Sequence, residues 1–460
     1  MMGELPVQQN ELFYDFCLEK HIPEDHLLRQ IDQFLDFNPV KEHLKPYYSH
    51  TGRPSIDPEL MIRMLLIGYC YGIRSERRIC EEVNFNLAYR WFCKLGLEDD
   101  VPDHSSFSKN RHGRFRESDL LRLIFDSVVH SCFKEGLIKA EGFASDASYI
   151  LADAAWENSV FTENEFERRR QNSRAVKEYF DSLDEGPLQV STPKRISLTD
   201  PIARWKKKGG PARFYYSTNY LVDIENNIIV DVEATPSNNI LEVDSTRLMI
   251  ERVEQKLSIK PKRLMADTAY GTGPMLDWLV REKQIEPYIP VWDKTAGNTE
   301  IYSVQDFTWN EKDKSYTCPA GKKLIHGRRN FKKSRSRITK ENTMMYRADQ
   351  NDCNACSFIH QCSPTGNARK IARSIYEESR EATRKVIQSD EYEQSFKDRR
   401  KVEVLFGHLK RNLNFERLRL RGLTGASDEF ILAATAQNLK KLAQQRFKPP
   451  NHRIGAPVCQ

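Results

Sequence analysis

The sequence predicts an α/β protein in which helices flank a sheet of mixed direction, with an all-helical region before the sheet and a cysteine-rich insertion within it. Three observations predict this architecture. Residues 1–135 carry apolar residues at helical spacing. Residues 213–235 contain two β-rich runs around the turn ENN, which is typical of a hairpin. From 242 to 292, helical and strand-like segments then alternate, as in α/β layers.

Composition places the chain among globular proteins. Of its 460 residues, 39% are hydrophobic and 30% are charged, and the net charge is +6, so a disordered chain is excluded. The most apolar run, residues 60–73, contains Arg63 and is too short to cross a bilayer. The N-terminus does not resemble a secretion signal. We therefore expect an intracellular protein without membrane contact, whose ten cysteines are reduced thiols or metal ligands.

Two helix starts can be located in the first 100 residues. Asp57 followed by Pro58 is typical of an N-cap and a first helical turn, and it predicts a buried helix through the apolar run. Ser75 predicts the start of the next helix.

A third short helix is predicted to begin at Asp103 or Ser105 and to carry Lys109, Arg111 and Arg114. Short helices with basic faces resemble a DNA-binding helical unit. A plain helical bundle is the alternative.

Residues 399–413 predict a helix on which Arg399, Glu403 and Lys410 share a face about 40° wide, since each residue advances by 100°. The neighbouring apolar stripe, which would dock on a sheet, consists of Val402, Leu405, Phe406 and Leu409. Glu403 is therefore expected to be half-buried between two cations. The alternative is an exposed ion pair, but Arg four residues before Glu is the less favourable order.

Two further carboxylates lie in strand-like contexts. Asp146 follows small residues in GFASDASYI, and Asp267 ends an apolar run before a Tyr-Gly-Thr turn. A single Asp at a strand end is usually a cap or turn former. Together with Glu403, however, the two could hold a pair of Mg²⁺ ions, hard cations that prefer oxygen ligands and serve in-line phosphoryl transfer. Asp153 is the alternative to Asp146 as the first ligand.

The three segments DASYILADAA, ADTAYGT and FKDRRKVEVLFGHLK resemble the DDE transposases of bacterial insertion sequences, in the branch with a Tyr-x2-Arg-x3-Glu-x6-Lys signature and a cysteine-rich insertion. The segments GRPSIDPELMIRMLLIGYCYGI and PDHSSFSKNR resemble the N-terminal module of the same family, so the resemblance covers most of residues 50–445. Phe396 stands where the signature usually has Tyr, so a phenolic contact to DNA phosphate is lost.

The resemblance implies an RNase H-like fold and a site for two Mg²⁺ or Mn²⁺ ions held by Asp146, Asp267 and Glu403. It also implies that Arg399 and Lys410 hold DNA phosphates. The implied partners are double-stranded DNA, as element ends and as target, and a second subunit on that DNA. We expect such a protein in the bacterial cytoplasm, near the nucleoid.

The resemblance and the composition together suggest five segments. They are a helical DNA-binding domain (1–135), the first part of the catalytic domain (136–292), the basic cysteine-rich insertion (293–392), the C-terminal catalytic helices (393–446) and a tail (447–460).

The insertion carries four cysteines that could form a tetrahedral Zn²⁺ site: Cys318, Cys353, Cys356 and Cys362. His326 and His360 are possible substitutes, and unrelated thiols are the alternative, because 34 residues separate Cys318 from Cys353. Between those two lies a run rich in Lys and Arg, residues 322–340, which is either a solvated loop or a contact to the DNA backbone. The cations of that run that we assign to DNA are Arg328, Arg329, Lys332 and Lys333.

The predicted activity is that of a transposase that binds terminal inverted repeats, cleaves DNA and transfers the 3′-OH ends to target DNA. Two alternatives remain at this point. One is an RNase H-like nuclease that cuts without joining, and the other is an inactive derivative that only binds DNA.

Overall fold

A computed structural model describes residues 16–49, 51, 55–184, 194–292, 301–327 and 336–446. The chain divides into two compact units. The first comprises Met1–Lys139, Ala147–Ile259 and Lys401–Gln460, and the second comprises Ala140–Asp146 and Lys260–Arg400. Among the described residues, no helix combines the length and the apolar character that a bilayer span requires.

The helices are, in chain order, α1 (Leu18–His21), α2 (Leu27–Asp32), α3 (Asn38–Leu44), α4 (Pro58–Tyr71), α5 (Glu76–Phe85), α6 (Leu87–Phe92), α7 (His104–Asn110), α8 (Leu120–Lys134), α9 (Glu163–Arg169), α10 (Arg174–Asp184), α11 (Asn239–Leu257), α12 (Gly273–Asp277), α13 (Gln350–Asn354), α14 (Ile359–Cys362), α15 (Glu377–Ile387), α16 (Asp390–Asn412) and α17 (Gly422–Arg446). The strands are β1 (Gly142–Leu151), β2 (Ser159–Val160), β3 (Ile196–Ser197), β4 (Arg204–Lys206), β5 (Arg213–Asp223), β6 (Ile228–Pro236), β7 (Arg263–Met265), β8 (Glu286–Tyr288), β9 (Thr308–Asn310), β10 (Ser315–Thr317), β11 (Lys323–His326), β12 (Thr343–Arg347) and β13 (Lys370–Ser374).

The helical core of the first unit forms around α17, which packs against α2, α4, α8 and strand β6. Helix α4 is the apolar run identified in the sequence. The Asp57 side chain caps it by accepting a hydrogen bond from Glu59 N at 2.8 Å, and Pro58 occupies its first turn. The predicted buried helix and its start are therefore confirmed, as is the start of α5 at Ser75.

The sheet of the first unit contains the predicted hairpin. Strands β5 and β6 pair in antiparallel register from Tyr216 opposite Pro236 to Asp223 opposite Ile228. The turn passes through Asn227, whose φ of +56° is a left-handed conformation that Asn tolerates. Strand β4 pairs with β5 on its other edge, also antiparallel. The second half of β1 lies in the same unit, and Ala152 N, just past its end, donates to Phe214 O.

The second unit has a parallel sheet and a separate antiparallel sheet. In the first, the opening half of β1 runs parallel to β7, and β7 runs parallel to β8. In the second, the strand order is β13-β12-β11-β10-β9. The mixed-direction α/β architecture and the helical N-terminal region are thus confirmed.

The antiparallel sheet of the second unit has an apolar core that was not identified from the sequence. Phe307, Tyr316, Leu324, Tyr346 and Ile371 are each at most 5% exposed and pack together within the antiparallel sheet. Its strands are only three to five residues long, so the alternation of side chains was too short to be recognised.

Candidate active site

The parallel pairing of β1 and β7 runs to two residues before Asp146 and Asp267. Gly142 lies opposite Arg263, and Ala144 lies opposite Met265. Continued by two residues, this register would set Asp146 opposite Asp267, on strands about 4.8 Å apart. Because alternate residues of a strand point to the same face, both carboxylates would then lie on one face of the sheet.

Asp267 is held by the turn that follows it. Its Oδ1 accepts a hydrogen bond from Ala269 N at 2.8 Å and so caps the short 3-10 turn Thr268–Tyr270. Gly271 ends this turn so close to the neighbouring backbone that a Cβ there would lie 1.9 Å from Pro290 O. Trp292 N also donates to Gly271 O at 2.9 Å. The Tyr-Gly pair of the motif therefore fixes the segment that presents Asp267.

Glu403 lies on α16, as predicted, but its environment differs from the prediction. The apolar stripe is buried, and the Phe406 ring stacks on Tyr220 of β5 with 5.3 Å between centroids, so the helix docks on the sheet as expected. Glu403 itself is exposed instead of half-buried, because it lies outside that stripe beside Val404, which is 71% exposed. Within the described residues the Glu403 carboxylate makes no hydrogen bond or ion pair.

The two signature cations make contacts within their own units. In the second unit, Arg399 Nη1 lies 3.4 Å from Ala266 O, the residue directly before Asp267. Its guanidinium carbon is also 5.6 Å from the Phe396 ring centroid. In the first unit, Lys410 Nζ donates to Tyr149 O at 3.0 Å.

A lysine cluster around Tyr149 was not foreseen from the sequence. Lys206 Nζ lies 3.3 Å from the Tyr149 hydroxyl, and Lys208 Nζ is 4.5 Å from the centre of the same ring. Burial, and then the charge of Lys208, lowers the pKa of Lys410. The run WKKKGG at 205–210 was the signal that could have found this cluster.

Asp153, the alternative first ligand, is engaged elsewhere. Its carboxylate forms ion pairs with Arg417 at 3.0 Å and with Arg421 at 2.9 Å, both in the first unit. Through these two ion pairs, Asp153 holds the segment before α17 in place, which gives this carboxylate a structural role.

The basic residues predicted to bind DNA have different environments. Lys109 is exposed on α7, whereas Arg111 is 6% exposed and its guanidinium forms an ion pair with Glu76 at 2.7 Å. Arg111 thus joins two parts of the helical core and is not available to a phosphate in this conformation. The four remaining cations, Arg328, Arg329, Lys332 and Lys333, lie outside the described residues.

The four predicted zinc ligands, Cys318, Cys353, Cys356 and Cys362, line a single cavity of the second unit. Burial raises the pKa of the Cys362 thiol, and the charges of the other three cysteines add to that rise. Even so, no set of three or more His, Cys, Asp or Glu side chains in the described part of the chain is arranged to hold a metal ion as it stands.

Two family models match the chain. Residues 16–113 match a transposase domain (DUF772), and residues 317–443 match a transposase DDE domain. Both matches are to transposase domains, and together they support a DDE transposase of the insertion-sequence type.

A solved structure was also matched, that of a piggyBac transposase synaptic complex with hairpin DNA. The match covers 93% of this chain and 80% of that one, at 9% sequence identity and a TM-score of 0.30. A score this low does not establish a common fold.

Proposed function

We propose that this transposase binds the terminal inverted repeats of its own element, cleaves DNA there and joins the freed 3′-OH ends to target DNA. The observation that supports the proposal is the β1–β7 register, which, continued by two residues, would pair Asp146 with Asp267. Each aspartate belongs to a motif of the DDE signature, and Glu403 supplies the third carboxylate from α16.

The order and direction of the strands support an RNase H-like catalytic fold. After β1 the chain makes an antiparallel hairpin, β5 and β6, and then helix α11. Two parallel strands follow, β7 beside β1 and β8 beside β7, separated by α12. This succession of a first strand, a hairpin, a helix and two parallel strands is the one that the resemblance to DDE transposases implies.

The donor set fits Mg²⁺ or Mn²⁺, because carboxylate oxygens are the ligands these hard cations prefer. Asp146, Asp267 and Glu403 would hold two ions. Bound there, the ions would supply Lewis acids that stabilise charge on the attacking and leaving oxygens. The Ala269 N–H fixes one oxygen of Asp267, so the orientation of that carboxylate is set before DNA arrives.

Two phosphoryl transfers at this site account for the activity. In the first, a water oxygen bonds to phosphorus and the bond to the 3′ oxygen breaks, leaving a 3′-OH and a 5′-phosphate. In the second, that 3′-OH attacks a phosphorus of the target strand, whose own 3′ oxygen leaves. Both steps are in-line displacements, so no covalent protein–DNA intermediate is required.

The cations would position the DNA backbone beside the carboxylates. Arg399 and Lys410 are the signature residues for this role, and we add Lys206 and Lys208, whose ammonium groups gather at Tyr149 next to Lys410. Lys109 would contact DNA from the helical region. Such contacts fix the register of the duplex and contribute little base information.

An exposed aromatic group in the first unit is suited to the same partner. Trp156 is 59% exposed and Phe161 is 64% exposed, and the Arg195 guanidinium lies 4.2 Å from the Phe161 ring centre. Aromatic rings combined with Arg are typical of surfaces on which unpaired bases stack. The resemblance to DDE transposases implies that at least two subunits bring the two element ends together, and we propose a homodimer on DNA.

The test is a reaction of purified protein with labelled element ends and a target plasmid, in Mg²⁺ or Mn²⁺ and in excess chelator. We expect cleaved and joined products that depend on the metal. Asp146→Asn and Asp267→Asn should each lower cleavage by about 10³-fold, since a ligand that supports several kcal/mol of charge stabilisation is lost.

Asp153→Asn is the matched control, and it should keep cleavage near the wild-type rate because Asp153 holds Arg417 and Arg421 instead. Cleavage without joined product would favour the nuclease alternative. Retained cleavage in Asp267→Asn would overturn the site assignment, and no cleavage by a folded, DNA-binding wild type would favour an inactive derivative.

A further inference from the structure

The small antiparallel sheet of the second unit is adjoined by two cysteine-bearing turns. Cys318 follows β10, and Cys353 and Cys356 lie within and just after α13. Cys362 ends α14. All four thiols are free and half-buried, and they line one cavity of about 30 Å³. A cavity of this size is large enough for one water molecule or one ion.

The turn at Cys318 directs one backbone hydrogen-bond donor, Lys322 N, toward its sulfur. Lys322 N lies 3.3 Å from Cys318 Sγ, and Cys318 N donates to Lys322 O at 2.9 Å. Gly321 makes this turn with a φ of +76°, and its N–H donates to Cys318 O. An N–H donor is a better partner for a thiolate than for a thiol, because hydrogen bonds to ionised acceptors are stronger.

The second turn is also ordered by its backbone. Cys356 N donates to Cys353 O at 3.1 Å, and Cys362 N donates to Phe358 O at 2.9 Å. Arg369 Nη1 binds Cys362 O at 2.7 Å, and Lys322 forms an ion pair with Asp352 at 3.3 Å. The Lys322–Asp352 pair joins the two turns directly, and both cations would offset the negative charge of a thiolate cluster.

We infer that Cys318, Cys353, Cys356 and Cys362 bind one Zn²⁺ as a closed, four-thiolate structural site. Soft thiolates select Zn²⁺ over the hard cations of phosphoryl transfer. The two histidines of the insertion do not line this cavity: His326 Nδ1 lies 3.2 Å from Met345 O, and His360 is exposed. The four thiols lose their protons when the metal–sulfur bonds form, and the protons pass to solvent.

Zn–S bonds of about 2.3 Å would hold the four sulfurs within about 4 Å of one another. The metal would then tie the end of β10 to α13 and α14 across 34 residues of intervening chain, including the basic run. The Zn²⁺ site would stabilise the insertion and would have no part in cleavage. The zinc proposal can therefore be tested independently of the proposed transposase activity.

The test is the metal content of the full-length protein, purified without chelator and measured by mass spectrometry. We expect about one zinc per chain, and loss of that zinc in Cys353→Ser/Cys356→Ser. Cys17→Ser/Cys80→Ser is the matched control, since Cys17 is exposed and Cys80 half-buried away from this cavity, and it should keep the ion.

If Cys353→Ser/Cys356→Ser does not fold, a second measurement on the wild-type protein tests the same site. Cobalt-substituted wild type should show the thiolate charge-transfer and d–d absorption of a tetrahedral site, and a thiol reagent should release one zinc as four thiols react. Folded wild type without zinc, or zinc that survives in Cys353→Ser/Cys356→Ser, would overturn the proposal.

Discussion

The two long C-terminal helices follow each other in the chain, yet their charged residues have opposite environments. In α17, Glu429 is 1% exposed and forms an ion pair with Arg74, and it also accepts hydrogen bonds from Arg419 N and Leu420 N at 2.6 Å each. In α16, Glu403 is exposed and makes no hydrogen bond or ion pair within the described residues.

The difference separates a structural carboxylate from a candidate functional one. A buried charge is stable only when it is paired, so Glu429 is explained by its partners. The Glu403 carboxylate has no such explanation: its helix is anchored by the apolar stripe, and both signature cations bind backbone carbonyl oxygens instead. An exposed carboxylate that has no partner among the described residues, between two cations along the helix, remains available to a ligand from outside the chain.

The largest effect is expected from Glu403→Gln, which removes one negative charge and keeps the shape of the side chain. We expect metal-dependent DNA cleavage to fall by about 10³-fold, while the melting temperature stays unchanged because Glu403 makes no hydrogen bond or ion pair with the residues that the structure describes. Glu393→Gln, an exposed change on the same helix, is the control and should cleave normally. A Glu403→Gln protein that cleaves at the wild-type rate would leave α16 without a catalytic carboxylate.

The converse change in the other helix should affect folding instead of chemistry. Arg74→Ala leaves Glu429 buried and unpaired, and it also removes the guanidinium that lies 4.4 Å from the Tyr69 ring centre. We expect the free energy of unfolding to fall by about 3 to 5 kcal/mol in urea titrations. Arg78→Ala, whose ion pairs are on the surface, should cost less than about 1 kcal/mol. Equal losses in the two variants would contradict this interpretation of the Arg74–Glu429 pair.

The free energy of unfolding is expected to depend on pH, by a similar or smaller amount, through a carboxylate at the start of α17. Asp200 accepts hydrogen bonds from the Tyr216 hydroxyl at 2.5 Å and from Gly422 N at 3.2 Å. Burial raises the pKa of Asp200 from 3.8 to about 6. The folded state therefore binds the proton more tightly than the unfolded state, so the stability from this group is complete below pH 4 and is lost as the pH rises through 6.

Asp200→Asn should remove that dependence, because a carboxamide does not titrate. The free energy of unfolding of the variant, relative to that of the wild type, should rise by about 3 kcal/mol between pH 4 and 7, measured by urea unfolding at each pH. Parallel stability curves for the two proteins would show that Asp200 is not protonated on folding in this range.

The sequence predicted features that depend on local pattern. The hairpin followed from alternating β-rich runs around Asn residues, and α4 followed from Asp57 and Pro58 before an apolar run. The apolar stripe of α16 was also correct, since Val402 and Leu409 are each at most 1% exposed. The exposure of Glu403 was missed, because a helical wheel gives the angle to the stripe but not how far the contacting surface extends.

Features that depend on distant pairing could not be predicted from the chain. The β1–β7 register, on which a pairing of Asp146 with Asp267 would depend, joins strands more than 100 residues apart, and no local signal encodes it. The burial of Arg111 likewise depends on Glu76 of a neighbouring helix. Which three carboxylates share a metal stays a prediction, as does the division of the chain into functional segments.

The close approach of Gly271 to Pro290 O offers a way to judge related copies in genomes. Any side chain at position 271 would collide with that carbonyl group and push aside the turn that presents Asp267. In a related copy that keeps all three acidic residues, loss of this glycine should therefore displace Asp267 and lower DNA cleavage.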